Sequence, residues 1–128
     1  MFNKRVMIVD DDAVFADELK DVLAFNGYET IVENDSMMAV KSVGHFNPGV
    51  VLLDINMPIK NGFDIANALR YGEKNSKVFI IVITGSHKPA YDQIFKMYGI
   101  DRCLQKPFSP EELIAMIEGA DELTPDLK

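Results

Sequence analysis

Short apolar runs alternate along this chain with stretches where apolar residues recur every third or fourth position. The strand candidates are Arg5–Val9, Glu29–Val32, Val50–Leu53, Val78–Ile83 and Cys103–Leu104. The unbroken run Val50–Leu53 reads as a strand buried on both faces. Between them, Phe15, Leu19, Val22 and Leu23 fall on one face of a helix that Gly27 can terminate. Val40 and Val43 mark a second, weaker helix, and Ile65, Ala68 and Leu69 a third that ends near Gly72. Ala90, Ile94 and Tyr98, with Phe95 beside them, mark a fourth that Gly99 closes. The fifth starts at Ser109-Pro110-Glu111-Glu112, where serine caps, proline suits the first turn and Glu112 completes a capping box. Leu113, Met116, Ile117 and Ala120 form its stripe.

Five strands alternating with five helices predict an α/β fold, a five-stranded parallel sheet with helices on both faces. Right-handed crossovers make all strands run the same way. Their C-terminal ends then share one edge, where open α/β folds place their sites.

The residues that follow the strands give that edge its chemistry. Asp10-Asp11-Asp12 follow the first strand; Asp54, with Asn56, follows the third, ahead of Pro58. Thr84 follows the fourth and Lys106 the fifth, while Glu33-Asn34-Asp35 after the second read as turn and cap material. Each has a purely structural explanation: Asp12 as a helix cap, Asp10 or Asp11 in a turn, Thr84 as a strand residue, Lys106 as a solvated side chain. Chance placement of all four kinds at four strand ends is improbable. Carboxylates about 5 Å apart repel by roughly 3 kcal/mol at an effective dielectric of 20. A cluster of three therefore calls for a proton, the lysine or a divalent cation. Aspartate oxygens and a backbone carbonyl suit Mg²⁺. His45 and His87 lack zinc spacing and read as surface or loop residues.

Composition narrows the setting. The 128 residues fit one domain, residues 1–122, with a tail from 123 to 128. No apolar run approaches the roughly 20 residues that cross a bilayer, and the N-terminus does not resemble a signal peptide. One cysteine, Cys103, fits a reducing cytoplasm. A net charge of -7 argues against nucleic-acid binding by this domain. There is no Walker or kinase-type glycine loop for ATP.

Taken in order, VDDD, LLDINMPIKNG, ITGS and QKPF resemble the receiver domain of two-component response regulators, over about residues 4 to 122. The resemblance implies a doubly wound, CheY-like (flavodoxin-like) fold with strand order 2-1-3-4-5. It implies that Asp54 accepts a phosphoryl group from a phosphohistidine on a sensor histidine kinase or histidine phosphotransfer protein. Mg²⁺ would be held by Asp11, Asp54 and the carbonyl of Asn56, with Asp10 acting largely through a bound water. Lys106 would pair with Asp54 and then with a phosphoryl oxygen, and Thr84 and amides near Asn56 and Gly85 would take others. Catalysis would be limited to the chain's own phosphorylation and slow dephosphorylation. A downstream protein would read the face formed by the fourth helix, fifth strand and fifth helix. One position departs from the pattern: the aromatic residue expected three before Lys106 is Cys103. The usual threonine–aromatic coupling is therefore excluded, and Tyr98 and Phe95 are candidates for a substitute bulk. Cys103 reads as a small strand residue in preference to a redox sensor.

Other readings remain open. The domain fits equally a receiver module cut from a longer response regulator or hybrid histidine kinase. A flavodoxin-like cofactor module should carry a Ser/Thr/Gly-rich phosphate loop where three acids stand. A Mg-dependent phosphatase of the haloacid-dehalogenase type should carry DxDxT there.

Overall fold

The computed structural model describes residues 3–57, 61–72 and 77–123. Its strands are β1 (Arg5–Val9), β2 (Glu29–Glu33), β3 (Val50–Asp54), β4 (Phe79–Thr84) and β5 (Arg102–Gln105). They alternate with α1 (Ala13–Phe25), α2 (Ala39–Phe46), α3 (Gly62–Tyr71), α4 (Tyr91–Met97) and α5 (Pro110–Leu123). A 3-10 turn, Ser36–Met38, leads into α2. The sheet order is β2-β1-β3-β4-β5, and every neighbouring pair is parallel. Pro58, read as the stop of the third strand, lies outside the described residues. So do residues 124–128 of the tail and the side chain of Ala120.

The unbroken apolar runs follow from cover on both sides. Met7, Val9, Val51, Leu53, Ile80 and Val82 pack with residues of α2, α3 and α4. Their neighbours Val6, Ile8, Leu52, Ile81 and Ile83 pack with α1 and α5. Because successive side chains point to opposite faces, no position in β1, β3 or β4 is spare for a polar residue until the strand ends. Strand ends differ from the expected ones by a residue or so: Asp54 and Thr84 belong to their strands, and β5 extends over Arg102 and Gln105.

Helix starts follow the sequence signals. Asp12 caps α1 by accepting from the Phe15 amide at 3.1 Å. Ser109 caps α5 by accepting from the Glu112 amide at 3.1 Å. Glu112 turns its carboxylate to the serine hydroxyl, so only half of the capping box forms. The fourth helix needs a correction. Of the expected residues, Ala90 and Ile94 are exposed, whereas Tyr98 packs against the core and Phe95, expected beside them, is the buried one. Phe95 is drawn inward by rings on both sides, Phe63 of α3 at 6.0 Å and Tyr91 at 6.4 Å between centroids. Gly99 then closes the helix with φ +73, where a Cβ would also overlap the Arg70 side chain.

Candidate functional site

All the named site residues sit on the edge where β1, β3, β4 and β5 end. Asp10 leaves β1 held by its backbone: its amide donates to the Glu33 carbonyl at 3.1 Å, and the Asn34 side-chain amide donates to its carbonyl at 2.8 Å. Its side chain is 1% exposed as a residue. One carboxylate oxygen accepts from the Asp12 amide at 2.9 Å, which is the turn role foreseen for one of the acidic pair. The other, Oδ2, is buried and has no hydrogen-bond partner among the described residues.

Asp10 belongs to a cluster of carboxylates. One carboxylate oxygen each from Asp10, Asp11 and Asp54 lie within 4.8 Å of one another. Asp54 ends a fully buried strand and is 8% exposed, whereas Asp11 is exposed. The Asn56 amide donates to Asp54 Oδ1 at 3.2 Å, so Asp54 also shapes the turn after β3. Burial pushes the Asp10 carboxyl up to about 6; the Asp54 charge adds to the rise, while the Asp12 amide and the Lys106 charge oppose it. A buried acceptor without a donor is costly, and three crowded carboxylates add repulsion. A hard divalent cation relieves both, and an all-oxygen donor set suits Mg²⁺ better than zinc or copper. The residues present therefore fit the ion.

Close approach of α3 contributes to the geometry. Gly62, its first residue, has its amide on the Ile55 carbonyl at 3.1 Å. A Cβ there would sit 2.7 Å from the Asp54 carbonyl oxygen and 2.8 Å from Ile55 Cα. Both are backbone atoms, so only glycine lets the helix start this close to β3.

Thr84 and Lys106 reach the edge from β4 and β5. The Thr84 hydroxyl donates to the Ser86 carbonyl at 3.0 Å and accepts from the Ser86 amide at 3.2 Å, which ties down the loop beyond β4. The Lys106 amide donates to the Thr84 carbonyl at 2.8 Å, and the Lys106–Pro107 peptide is cis. The lysine ammonium lies over the Phe15 ring, 4.2 Å from its centroid. Among the described residues it forms no ion pair. The expected Lys106–Asp54 pair is thus not made in this state.

Three participants escaped the sequence reading. Asn34 was grouped with turn residues, although an amide side chain just after an outer strand is placed to clamp the neighbouring strand end. Phe15 was read only as part of a helix face. His87, expected on the surface, stacks on Phe95 at 6.0 Å and 17° and bonds Asp92 Oδ1 at 2.8 Å. Cys103 is half-buried against the α2–α4 side of the core. Burial, with the Asp92 charge second, pushes its thiol up to about 11, which keeps it a poor nucleophile.

Comparison with known proteins points the same way. The model of the response regulator receiver domain matches residues 6–118. The DNA-binding response regulator MtrA of Mycobacterium tuberculosis is 35% identical over 114 residues, covering 89% of this chain and 49% of that protein. The response regulator MprA of Mycobacterium leprae is 33% identical over 113 residues, covering 88% and 49%. The chain spans about half the length of these curated relatives. Among solved structures, the chemotaxis response regulator CheY4 of Vibrio cholerae is 28% identical with a TM-score of 0.82, covering 89% and 95% of the two chains. The receiver domain of the Francisella response regulator 1452 is also 28% identical, with a TM-score of 0.85 and coverage of 95% and 99%.

Proposed function

The chain belongs to the response regulator receiver domain family, and from that membership we propose that Asp54 accepts a phosphoryl group from a partner's phosphohistidine. The observation that carries this reading is the meeting of the Asp10, Asp11 and Asp54 carboxylates, with one Asp10 oxygen buried and unpartnered among the described residues. Asp10, Asp11 and Asp54, with the Asn56 carbonyl, would hold Mg²⁺. When bound, the ion would offset much of the charge of the cluster and attract phosphoryl oxygens.

In the transfer, an Asp54 oxygen attacks phosphorus as the bond from phosphorus to the donor imidazole breaks. The imidazole leaves with a proton on its other ring nitrogen, so no base is required from this chain. A carboxylate is a competent nucleophile, and the Asn56 amide fixes one Asp54 oxygen. Lys106 and the Thr84 hydroxyl take phosphoryl oxygens, which separates Thr84 from Ser86. Beyond its own phosphorylation and slow dephosphorylation, we assign the domain no turnover.

Release of Ser86 would free the loop that carries His87, and His87 is stacked on Phe95 in α4. The ring system of Phe63, Phe95 and Tyr98 would then supply the bulk that Cys103 does not, with Phe63 and Tyr98 already 5.0 Å apart. Such a shift must come from phosphate binding one arrangement better than the other. Ile94 and Met97 lie exposed on α4, Met97 at 72%, and suit a downstream protein on the α4–β5–α5 face. The donor would be a sensor histidine kinase or phosphotransfer protein in the cytoplasm. MtrA is named as DNA-binding, but a net charge of -7 argues against nucleic-acid binding by this part.

The test is labelling by a phosphohistidine donor with and without Mg²⁺. Asp54→Asn should reduce it by more than 100-fold, and chelation of the ion by a similar factor. Unchanged labelling of the variant would overturn the assignment.

A further inference from the structure

We propose that Phe15 is a positioning residue that parks Lys106 away from the acidic cluster until phosphoryl oxygens are present. The inference rests on the phosphoacceptor reading and assigns a new part to a residue outside it. The ammonium sits 4.2 Å from the Phe15 centroid and makes no ion pair among the described residues, although three carboxylates stand on the same edge. An ammonium over an aromatic face is held by the ring's quadrupole. The ring is itself held. Its backbone amide is bonded to Asp12, and Phe108, two residues past Lys106, packs edge-on against it at 6.2 Å and 80°. The first turn of α1 and the loop after β5 thus fix ring and lysine toward each other.

The consequence is a division of labour in time. A lysine lying among the carboxylates would compete with a divalent cation for them. A lysine parked on Phe15 makes no ion-pair contact with the carboxylates, which leaves their oxygens open, so the cation binds first. Lys106 then needs only side-chain rotation to reach a phosphoryl oxygen, since its backbone is already fixed to Thr84. In Phe15→Leu the apolar volume is largely kept but the quadrupole is lost. The ammonium moves to the carboxylates, and the Mg²⁺ dissociation constant rises about threefold to tenfold.

The experiment measures Mg²⁺ affinity by NMR titration of the full chain, with no phosphodonor present. Wild type, Phe15→Leu, Phe15→Tyr and each of these on a Lys106→Met background are compared. Weaker binding in Phe15→Leu, recovery in Phe15→Tyr and no effect of either on the Lys106→Met background would support the lysine hold. The Lys106 ε-methylene protons of metal-free wild type should be shifted upfield by the ring and return to ordinary positions in Phe15→Leu. Ordinary positions in wild type would overturn the proposal, as would an equal affinity loss on both backgrounds. Neither readout involves phosphorylation, so an Asp54 that accepts no phosphate leaves this result standing, and a failed lysine hold leaves the acceptor reading standing.

Discussion

The two ends of this sheet treat charge in opposite ways. At the end where strands begin, carboxylates meet cations or amides. Asp101 accepts from Arg70 at 2.7 Å and from the Ile80 amide at 2.8 Å, and Arg70 also donates to the Gly99 carbonyl at 3.0 Å. Glu29 stands 3.4 Å from Arg5. At the end where strands finish, three aspartates share a space of 4.8 Å, one oxygen has no donor, and the nearby lysine rests on a ring. Burial raises the pKa of both Asp101 and Asp10. At Asp101 the Ile80 amide, Arg70 and Arg102 all work against the rise, whereas at Asp10 the Asp54 charge adds to a rise that the Asp12 amide and Lys106 oppose. One end is arranged to hold the fold together. The other keeps an electrostatic cost in the metal-free state that a ligand can relieve, as functional sites often do.

The largest expected effect comes from removing that cost. The Asp10 carboxyl moves from 3.8 to about 6 on folding, so the folded chain holds the proton more tightly than the unfolded chain. Its contribution favours folding fully below about pH 4 and is lost as pH rises through about 6, a swing of ~3 kcal/mol. Asp10→Asn keeps an acceptor for the Asp12 amide and puts an uncharged donor where Oδ2 was. Metal-free Asp10→Asn should therefore be more stable than wild type by up to ~3 kcal/mol at pH 7.5, and the advantage should vanish near pH 4. Urea unfolding in chelator at the two pH values checks this. A variant no more stable at pH 7.5 would mean that the cluster stores no such cost. With Mg²⁺ present the order should narrow or reverse, because the ion stabilises wild type by mass action.

The opposite operation at the other end should do the opposite. Arg70→Met leaves Asp101 with the Ile80 amide and the Arg102 charge but without its guanidinium hydrogen bond, and the Gly99 carbonyl without its donor. The pair is partly shielded, at 20% and 34% side-chain exposure, which places it between a surface and a buried ion pair. A loss of ~1–2 kcal/mol at pH 7 is expected, shrinking in acid as Asp101 takes up a proton. Unfolding at pH 7 and pH 4 measures both parts. A pH-independent loss would instead assign the effect to the Gly99 carbonyl and to packing of the arginine stem.

How much of this contrast could be read beforehand follows from what each residue touches. The central strands β1, β3 and β4 were legible because cover on both faces keeps their interiors apolar, and β1 spans the expected Arg5–Val9. The acids, threonine and lysine were legible because topology brings strand ends to one edge, and the family resemblance supplied the strand order. α4 was misread because Ile94 and Phe95 are both apolar in a seven-residue helix, so the choice between them falls to rings contributed by other elements. Asp101 and Arg70 were passed over, since their pairing joins residues 31 apart that no local pattern connects. The perch of Lys106 on Phe15 was equally hidden, because a side-chain rotamer leaves no trace in the order of residues. Chemical type and strand end can be read from the chain, but which cation serves which anion cannot.

The smallest expected effect sharpens what counts as a partner. Arg5 and Glu29 are 44% and 63% exposed at the side chain, and 3.4 Å is long for a charge-assisted bond. Water and salt screen such a pair, and ordering two long side chains offsets much of the attraction. Arg5 has other anchors: it donates to the Phe46 carbonyl at 3.1 Å, and its guanidinium lies 5.5 Å from the Phe46 centroid. Removing only the carboxylate therefore removes little. Glu29→Gln should change stability by less than ~0.5 kcal/mol, with no measurable difference between 0.05 and 0.5 M salt. A loss above ~1 kcal/mol that fades in high salt would show the pair to be as consequential as Arg70–Asp101. The beginning of the sheet would then depend on its charges throughout, and not at one shielded contact.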